Sequence, residues 1–284
     1  MSTLIIGSGY IGEHLARRWR ERGDNVVATS RSGAEDTILF DMMRDDPSAL
    51  SGLFPESKEK AAVVCAAESR VDRCRTHRDE AWAINVVATE RLLSSLAERG
   101  WHAVFLSSDA VFDGTRGDLT EDDAPSPINE YGRMKAEVEH WIQERHPRCC
   151  IARLPKVIGR PEHERDMLAG WKRDALAGRE IHCIRGNYLS PVDVDDVADC
   201  LRMIMERRSS GTWHVCGERR WGRAELCRSF LRFLGLDAHV TEEPLDAFAF
   251  ADARPLDTSM RCDKARAALG WSPRGMEETF ERYL

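Results

Sequence analysis

The 284-residue chain is 42% hydrophobic and 31% charged, the balance of an ordinary soluble globule long enough for one large core or two close lobes. Its formal net charge of -7 argues against nucleic acid or an anionic membrane as the main partner. Nine scattered cysteines include no C-x-x-C pair, so neither a zinc site nor a disulfide framework is expected, and reduced thiols in a cytoplasmic protein fit better. Residues 1–7 move directly into an apolar run, so neither a secretory leader nor a membrane span is expected.

Residues 3–6 read as a buried strand, followed at once by Gly7-Ser8-Gly9-Tyr10-Ile11-Gly12 and then by Leu15, Ala16 and Trp19 at helical spacing. This is G-x-G-x-x-G in the strand–turn–helix context that binds a dinucleotide. Gly7 permits the tight turn, Gly9 lets the backbone approach a pyrophosphate, and Gly12 allows close helix–strand packing. Tyr10 and Ile11 open the helix whose amides and dipole attract the anion. A second strand, 25–29, ends in Thr29-Ser30-Arg31-Ser32. An acidic residue about 20 positions after the glycines would bond a ribose 2′-hydroxyl. Small hydroxyls and Arg31 stand there and suit a 2′-phosphate, so NADPH is expected, with NADH the alternative. Residues 38–40 form a third strand before Asp41-Met42, and 61–67 a fourth, where small Ala66 and Ala67 leave room for the cofactor. Residues 79–96 form a long amphipathic helix in which Asn85 calls for a tertiary hydrogen bond.

Residues 103–106 make another buried parallel strand, which places Ser107, Ser108 and Asp109 at the carboxyl edge where open α/β sheets bind ligands. Ser126 and Pro127 resemble a helix start, and Met134, Val138, Trp141 and Ile142 give that helix an apolar stripe. Tyr131 and Lys135 then share one helix face. A phenol ordinarily titrates near about 10, and an ammonium held close would draw it toward the working range. A serine hydroxyl from the strand end could hold a substrate oxygen against that phenol, a trio suited to proton transfer while hydride reaches carbon. A surface tyrosine and lysine on an amphipathic helix would show the same spacing; the fingerprint at residues 7–12 selects the chemical reading.

The stretch S-S-D-A-V-F-D-G followed by P-I-N-E-Y-G-R-M-K resembles the extended short-chain dehydrogenase/reductases, and among them the dTDP-4-dehydrorhamnose reductase family, over nearly the whole chain. The resemblance implies a Rossmann-type doubly wound parallel sheet of the α/β class with a smaller mixed C-terminal substrate lobe. The expected division is 1–159 plus 188–217 for the dinucleotide-binding part and 160–187 plus 218–284 for the substrate lobe. It implies Ser108, Tyr131 and Lys135 as catalytic residues, with Ser107, Tyr131 and Lys135 also touching the cofactor. Asp41 and Met42 would lie near the adenine, and Pro155, in the R-x-x-x-V-Y-G-like segment 153–159, near the nicotinamide. Ser108, Asp109, Val111, Phe112 and Arg254, the last in an R-P-x-x-T-S segment, would face a nucleotide-sugar substrate.

Two departures stand out: Ala110 replaces the family's tyrosine and Ile158 its second aromatic. Asp109 is followed by Ala110 and not by the glutamate of a 4,6-dehydratase, which makes dehydration unlike this chain. The implied activity is NADPH-dependent reduction of a nucleotide-linked 4-keto-6-deoxy sugar. A sugar-nucleotide epimerase, or a non-catalytic NADP-binding regulatory subunit resembling the methionine adenosyltransferase beta subunit, are the alternatives. The acids at 193, 195 and 196 precede an apolar helix and read as helix caps, so no metal ligand set is expected. A homodimer is the oligomer the superfamily suggests, without a residue-level argument for its interface.

Overall fold

The computed structural model describes all of residues 1–284. Seven strands form one sheet: β1 Ser2–Ile6, β2 Asn25–Ser30, β3 Thr37–Leu39, β4 Lys60–Val64, β5 His102–Ser108, β6 Cys150–Leu154 and β7 Gly211–His214. Their order is β7-β6-β5-β4-β1-β2-β3, and every neighbouring pair is parallel. The central strands are unbroken apolar runs because helices cover both faces.

Alternate residues feed two cores. Ile5, Val63, Val104, Leu106 and Ala152 join Leu15 and Trp19 of α1 (Tyr10–Glu21) on one face. Leu4, Ile6, Val64, Phe105 and Ile151 join Leu92 and Leu96 of α2 (Thr89–Glu98) and Met134, Val138 and Ile142 of α3 (Glu130–Arg145) on the other. Helices α4 (Met167–Leu176), α5 (Val194–Glu206) and α6 (Arg223–Phe233) follow, with α5 lying on the first face. A third core of Trp171, Phe230, Phe280 and Tyr283 binds α4, α6 and the last helix into a smaller lobe. That lobe carries short strand pairs, Ile181–Ile184 with Val240–Glu243 and Tyr188–Leu189 with Trp221–Gly222. The chain runs outward from β1 through β2 to β3 and then crosses back to β4 on the other side of β1, so the switch point lies between the carboxyl ends of β1 and β4.

Three local expectations change. Strand β4 stops at Val64, because the N–H groups of Cys65 and Ala66 both donate to the Ile6 carbonyl, at 2.9 and 2.8 Å, and end the ladder. The helix read over 79–96 is broken into Arg78–Trp82, a π turn at Ala83–Ala88 and α2. Asn85 lies in that π turn and clamps Glu68, accepting from its N–H at 2.8 Å and donating to its carbonyl at 3.0 Å. Helix α3 starts at Glu130 and not at Ser126, since Asn129 provides the cap: its Oδ1 accepts from the Gly132 N–H at 2.8 Å. Ser126 instead donates to Asp113 at 3.1 Å.

The acids at the start of α5 serve the helix and an arginine cluster. Asp193 caps α5, Asp195 pairs with His14 at 2.6 Å and Arg18 at 3.0 Å, and Asp196 pairs with Arg274 at 3.0 Å. His214 is a fully buried strand histidine, edge-on to Phe112, and burial holds its pKa down at about 3. All nine thiols are free, eight of them buried. No helix is long and apolar enough to cross a membrane.

Candidate active site

The carboxyl edge of the sheet collects the candidate residues in two groups, one around the glycine loop and one at the end of β5. Gly7 takes φ +98, and a Cβ there would lie 2.9 Å from the Ala66 backbone. A Cβ at Gly12 would sit 1.9 Å from the Gly7 carbonyl oxygen, so only glycine lets α1 approach the loop this closely. Gly9 faces open space, and no side chain caps α1, which leaves its first N–H groups free as anion donors. This is a cradle of the shape and polarity a dinucleotide diphosphate requires. The Tyr10 side chain, however, turns away from it: its hydroxyl donates to Asp166 at 2.6 Å in the other lobe. Only the backbone of Tyr10 therefore belongs to the cradle. Asp166 also accepts from the Tyr283 hydroxyl at 2.8 Å and caps α4, a joint between lobes that the sequence did not advertise.

Around the cradle, Arg31 is exposed and makes no ion pair, while Ser30 closes its own turn by accepting from the Ser32 N–H at 3.1 Å. Asp41 is half-buried beside the buried Met42 and accepts from the Met43 N–H at 2.9 Å. Ala66 and Ala67 are half-buried at the edge, and Pro155 is buried just past β6.

At the end of β5 the two serines part company. Strand alternation sends Ser107 inward, where its hydroxyl donates to Glu139 at 2.5 Å, so that side chain is turned from the cleft and is not free to touch a cofactor. Ser108 faces the cleft, donates to Asp109 at 3.0 Å and accepts from the Ala110 N–H at 3.2 Å. Asp109 also accepts from Thr258 of the smaller lobe at 2.6 Å, which ties the two lobes together at the serine. Val111 and Phe112 are corrections: the turn at Asp109–Val111 folds the chain back into the core, leaving them 0% and 2% exposed and unable to line a substrate site. Arg254 is engaged as well, paired with Asp72 at 2.8 Å and stacked on Phe250 at 4.4 Å, a loop brace in this structure.

Tyr131 and Lys135 project from one face of α3, but their electrostatics invert the sequence expectation. Lys135 donates to the Leu106 carbonyl at 2.7 Å, its nitrogen 5.8 Å from the phenol ring centre, and burial lowers its pKa to about 8. The phenol is pushed up and not down, by burial first and then by the Asp109 carboxylate, with the Ser108 hydroxyl opposing. The lysine ammonium is turned to a backbone carbonyl, and burial sets the direction. The result is a tyrosine held firmly protonated beside a serine hydroxyl, a proton donor in waiting.

Close packing positions this phenol. A Cβ on Gly132 would lie 2.0 Å from the Ala110 carbonyl oxygen, so α3 rests directly on the turn that carries Ser108 and Asp109. Gly132→Ala is expected to push Tyr131 out of register with Ser108, a displacement on the order of 1 Å that can cost about 10²-fold in turnover. Steady-state kinetics beside a thermal melt would separate that loss from unfolding.

Comparisons with known proteins bear on the family and the fold. A probable low-salt glycan biosynthesis reductase, Agl14, of Haloferax volcanii is 28% identical over 286 residues, spanning 98% of this chain and 95% of that protein. Methionine adenosyltransferase 2 subunit beta of Xenopus tropicalis is 26% identical over 274 residues, covering 92% of this chain and 80% of the other. The crystal structure of dTDP-4-dehydrorhamnose reductase from Bacillus anthracis in complex with NADP superposes with a TM-score of 0.87 at 23% identity, covering 100% and 99% of the two chains. The model of the RmlD substrate binding domain matches residues 1–284, and the chain belongs to that family.

Proposed function

We propose that this chain is an NADPH-dependent reductase of a keto-sugar carried on a nucleotide, with a 4-keto-6-deoxyhexose on dTDP as the simplest form consistent with the family. The observation that supports it most is the protonated Tyr131 beside Ser108 on the same sheet edge as an uncapped glycine cradle. Gly7, Gly9 and Gly12 with the backbone of Tyr10 and Ile11 would hold the diphosphate, and Arg31 the 2′-phosphate. Asp41 and Met42 would border the adenine, Ala66, Ala67 and Pro155 the remaining length, and Lys135 the ribose hydroxyls. The reduced nicotinamide, when bound, supplies hydride to the keto carbon. Ser108 would turn its hydroxyl proton from Asp109 to the keto oxygen, and Tyr131 would deliver its proton as charge develops there. Substitution of the Asp-Glu pair of a dehydratase by Asp109-Ala110 favours reduction over dehydration.

Similarity to methionine adenosyltransferase 2 subunit beta supports a second reading, an NADP-binding regulatory subunit that does not turn over sugar. The two readings separate in one assay, the oxidation of NADPH with a panel of nucleotide-linked 4-keto sugars. Turnover is the expected result; tight NADPH binding without oxidation across the panel would reject the reductase and favour the subunit. In the same assay Arg31→Ala should cut the preference for NADPH over NADH by about tenfold, the size of one charge-assisted contact to phosphate. An unchanged preference would remove Arg31 from the site.

A further inference from the structure

Two cations, one from each lobe and close enough to feel each other's charge, have no acidic partner. Lys156 stands two residues past Leu154, which is in register with Ser108 across β5 and β6, so it leaves the sheet edge beside the proposed catalytic serine. Its side chain is exposed and forms no hydrogen bond or ion pair, yet protein surrounds it closely enough that burial lowers its pKa, with the guanidinium of Arg223 adding to the effect. Arg223 opens α6 from the opposite lobe. Its backbone N–H donates to the Asn187 carbonyl at 2.8 Å and its guanidinium lies 5.9 Å from the Trp171 ring centre, again without an acidic partner. Tyr188 connects this arginine to the site, since Tyr188 pairs with Gly222 and its carbonyl accepts from the N–H of Thr258, the residue bonded to Asp109.

The carboxylates that favour the charge on Lys156 are Asp166 and Asp109, and neither forms an ion pair with it. Asp109 is held by the hydroxyls of Ser108 and Thr258. Asp166 is held by the hydroxyls of Tyr10 and Tyr283 and by the N–H groups of Gly159, Arg160 and Ala169. Several arginines in the second lobe find acids, as Arg220 does with Asp257 at 2.7 Å and Arg274 with Asp196. Two like charges left facing one cleft are unfavourable unless an anion joins them.

We infer that Lys156 and Arg223 form an oxyanion-binding subsite on the substrate side of Ser108, filled by an anionic group of the nucleotide-sugar. This rests on the reductase reading and narrows it. Two sources share the chemistry: the diphosphate, or a carboxylate on the sugar ring. Position C1, which bears the diphosphate, lies across the ring from a reacting C4, whereas a C6 carboxylate lies next to it.

The test is calorimetric binding to the full chain saturated with NADP, using dTDP-glucose and dTDP-glucuronate, wild type beside Lys156→Met. Because Lys156 is exposed, the variant should keep its fold, and a thermal melt checks this. A loss of about tenfold to a hundredfold for both ligands supports the subsite with the diphosphate as its occupant. A loss of that size for dTDP-glucuronate alone supports it with the sugar carboxylate. Affinities for both ligands unchanged within about twofold would overturn it. Should neither sugar bind the wild type, the nucleotide-sugar reading fails separately. Inorganic pyrophosphate then probes the subsite: its raising of the melting temperature of the wild type but not of Lys156→Met upholds the subsite, and no such difference rejects it.

Discussion

Tyr131→Phe is expected to lower turnover of a keto-sugar by about 10²- to 10⁴-fold, the usual contribution of a positioned general acid, while leaving NADPH affinity nearly intact. The substitution removes only an oxygen from a ring that packs beside Met134 and Lys135 on α3, so the helix should stand. Its effect falls on the chemical step because burial and Asp109 keep the phenol protonated across the neutral range, and a reductase needs that proton. Lys135 adds a pH limb of definite sign. Burial places its pKa at about 8, so the ammonium that bonds the Leu106 carbonyl is present below that value and lost above it. The second-order rate constant should therefore fall as pH rises through about 8, and this limb should disappear in Lys135→Met. A Tyr131→Phe protein with wild-type turnover would remove the phenol from the mechanism.

The largest stability loss is expected at Arg153. This guanidinium is 1% exposed and grips Glu139, also 1% exposed, with Nε at 3.0 Å and the terminal nitrogen at 2.6 Å. The Phe112 ring and His214 also touch the guanidinium, and the Ser107 hydroxyl donates to Glu139. Arg153→Met leaves Glu139 charged and unpaired inside the protein, at a cost of about 3–5 kcal/mol. Replacing both partners, with Arg153→Met and Glu139→Leu, should recover most of that loss, since the pair's attraction roughly offsets its desolvation. Denaturant titration of the single and double variants checks both statements; a double variant less stable than the single would show that the pair contributes more than charge neutrality. Glu139 lies one turn beyond Lys135, so this pair also anchors the proposed catalytic helix to the sheet.

These two residues mark where sequence reading succeeds and where it stops. The cradle was legible because strand, glycine turn and helix are contiguous, and each glycine answers a local demand of backbone and packing, as Gly7 and Gly12 do against Ala66 and Ile5. The parallel sheet was legible for a related reason: strands covered on both faces are apolar throughout, and intervening helices make parallel pairing the economical route. Tyr131 and Lys135 could be placed on one face by helical spacing alone.

Everything that depends on what a side chain meets across the fold had to come from the tertiary structure. Strand alternation and the position of Glu139 decided that Ser107 turns inward and Ser108 outward. Asp72, 182 positions away in the chain from Arg254, engages the arginine that the sequence offered to a nucleotide-sugar. Asn129 displaced Ser126 as the cap because α3 must start where Gly132 can rest on Ala110. The direction of the Tyr131 shift was set by burial in a cleft no local pattern describes. By itself the sequence determined the cradle, the sheet and the helix face carrying Tyr131 and Lys135; long-range packing alone decided which groups are paired, buried or left free, because desolvation and ion pairing are properties of neighbours and not of residues.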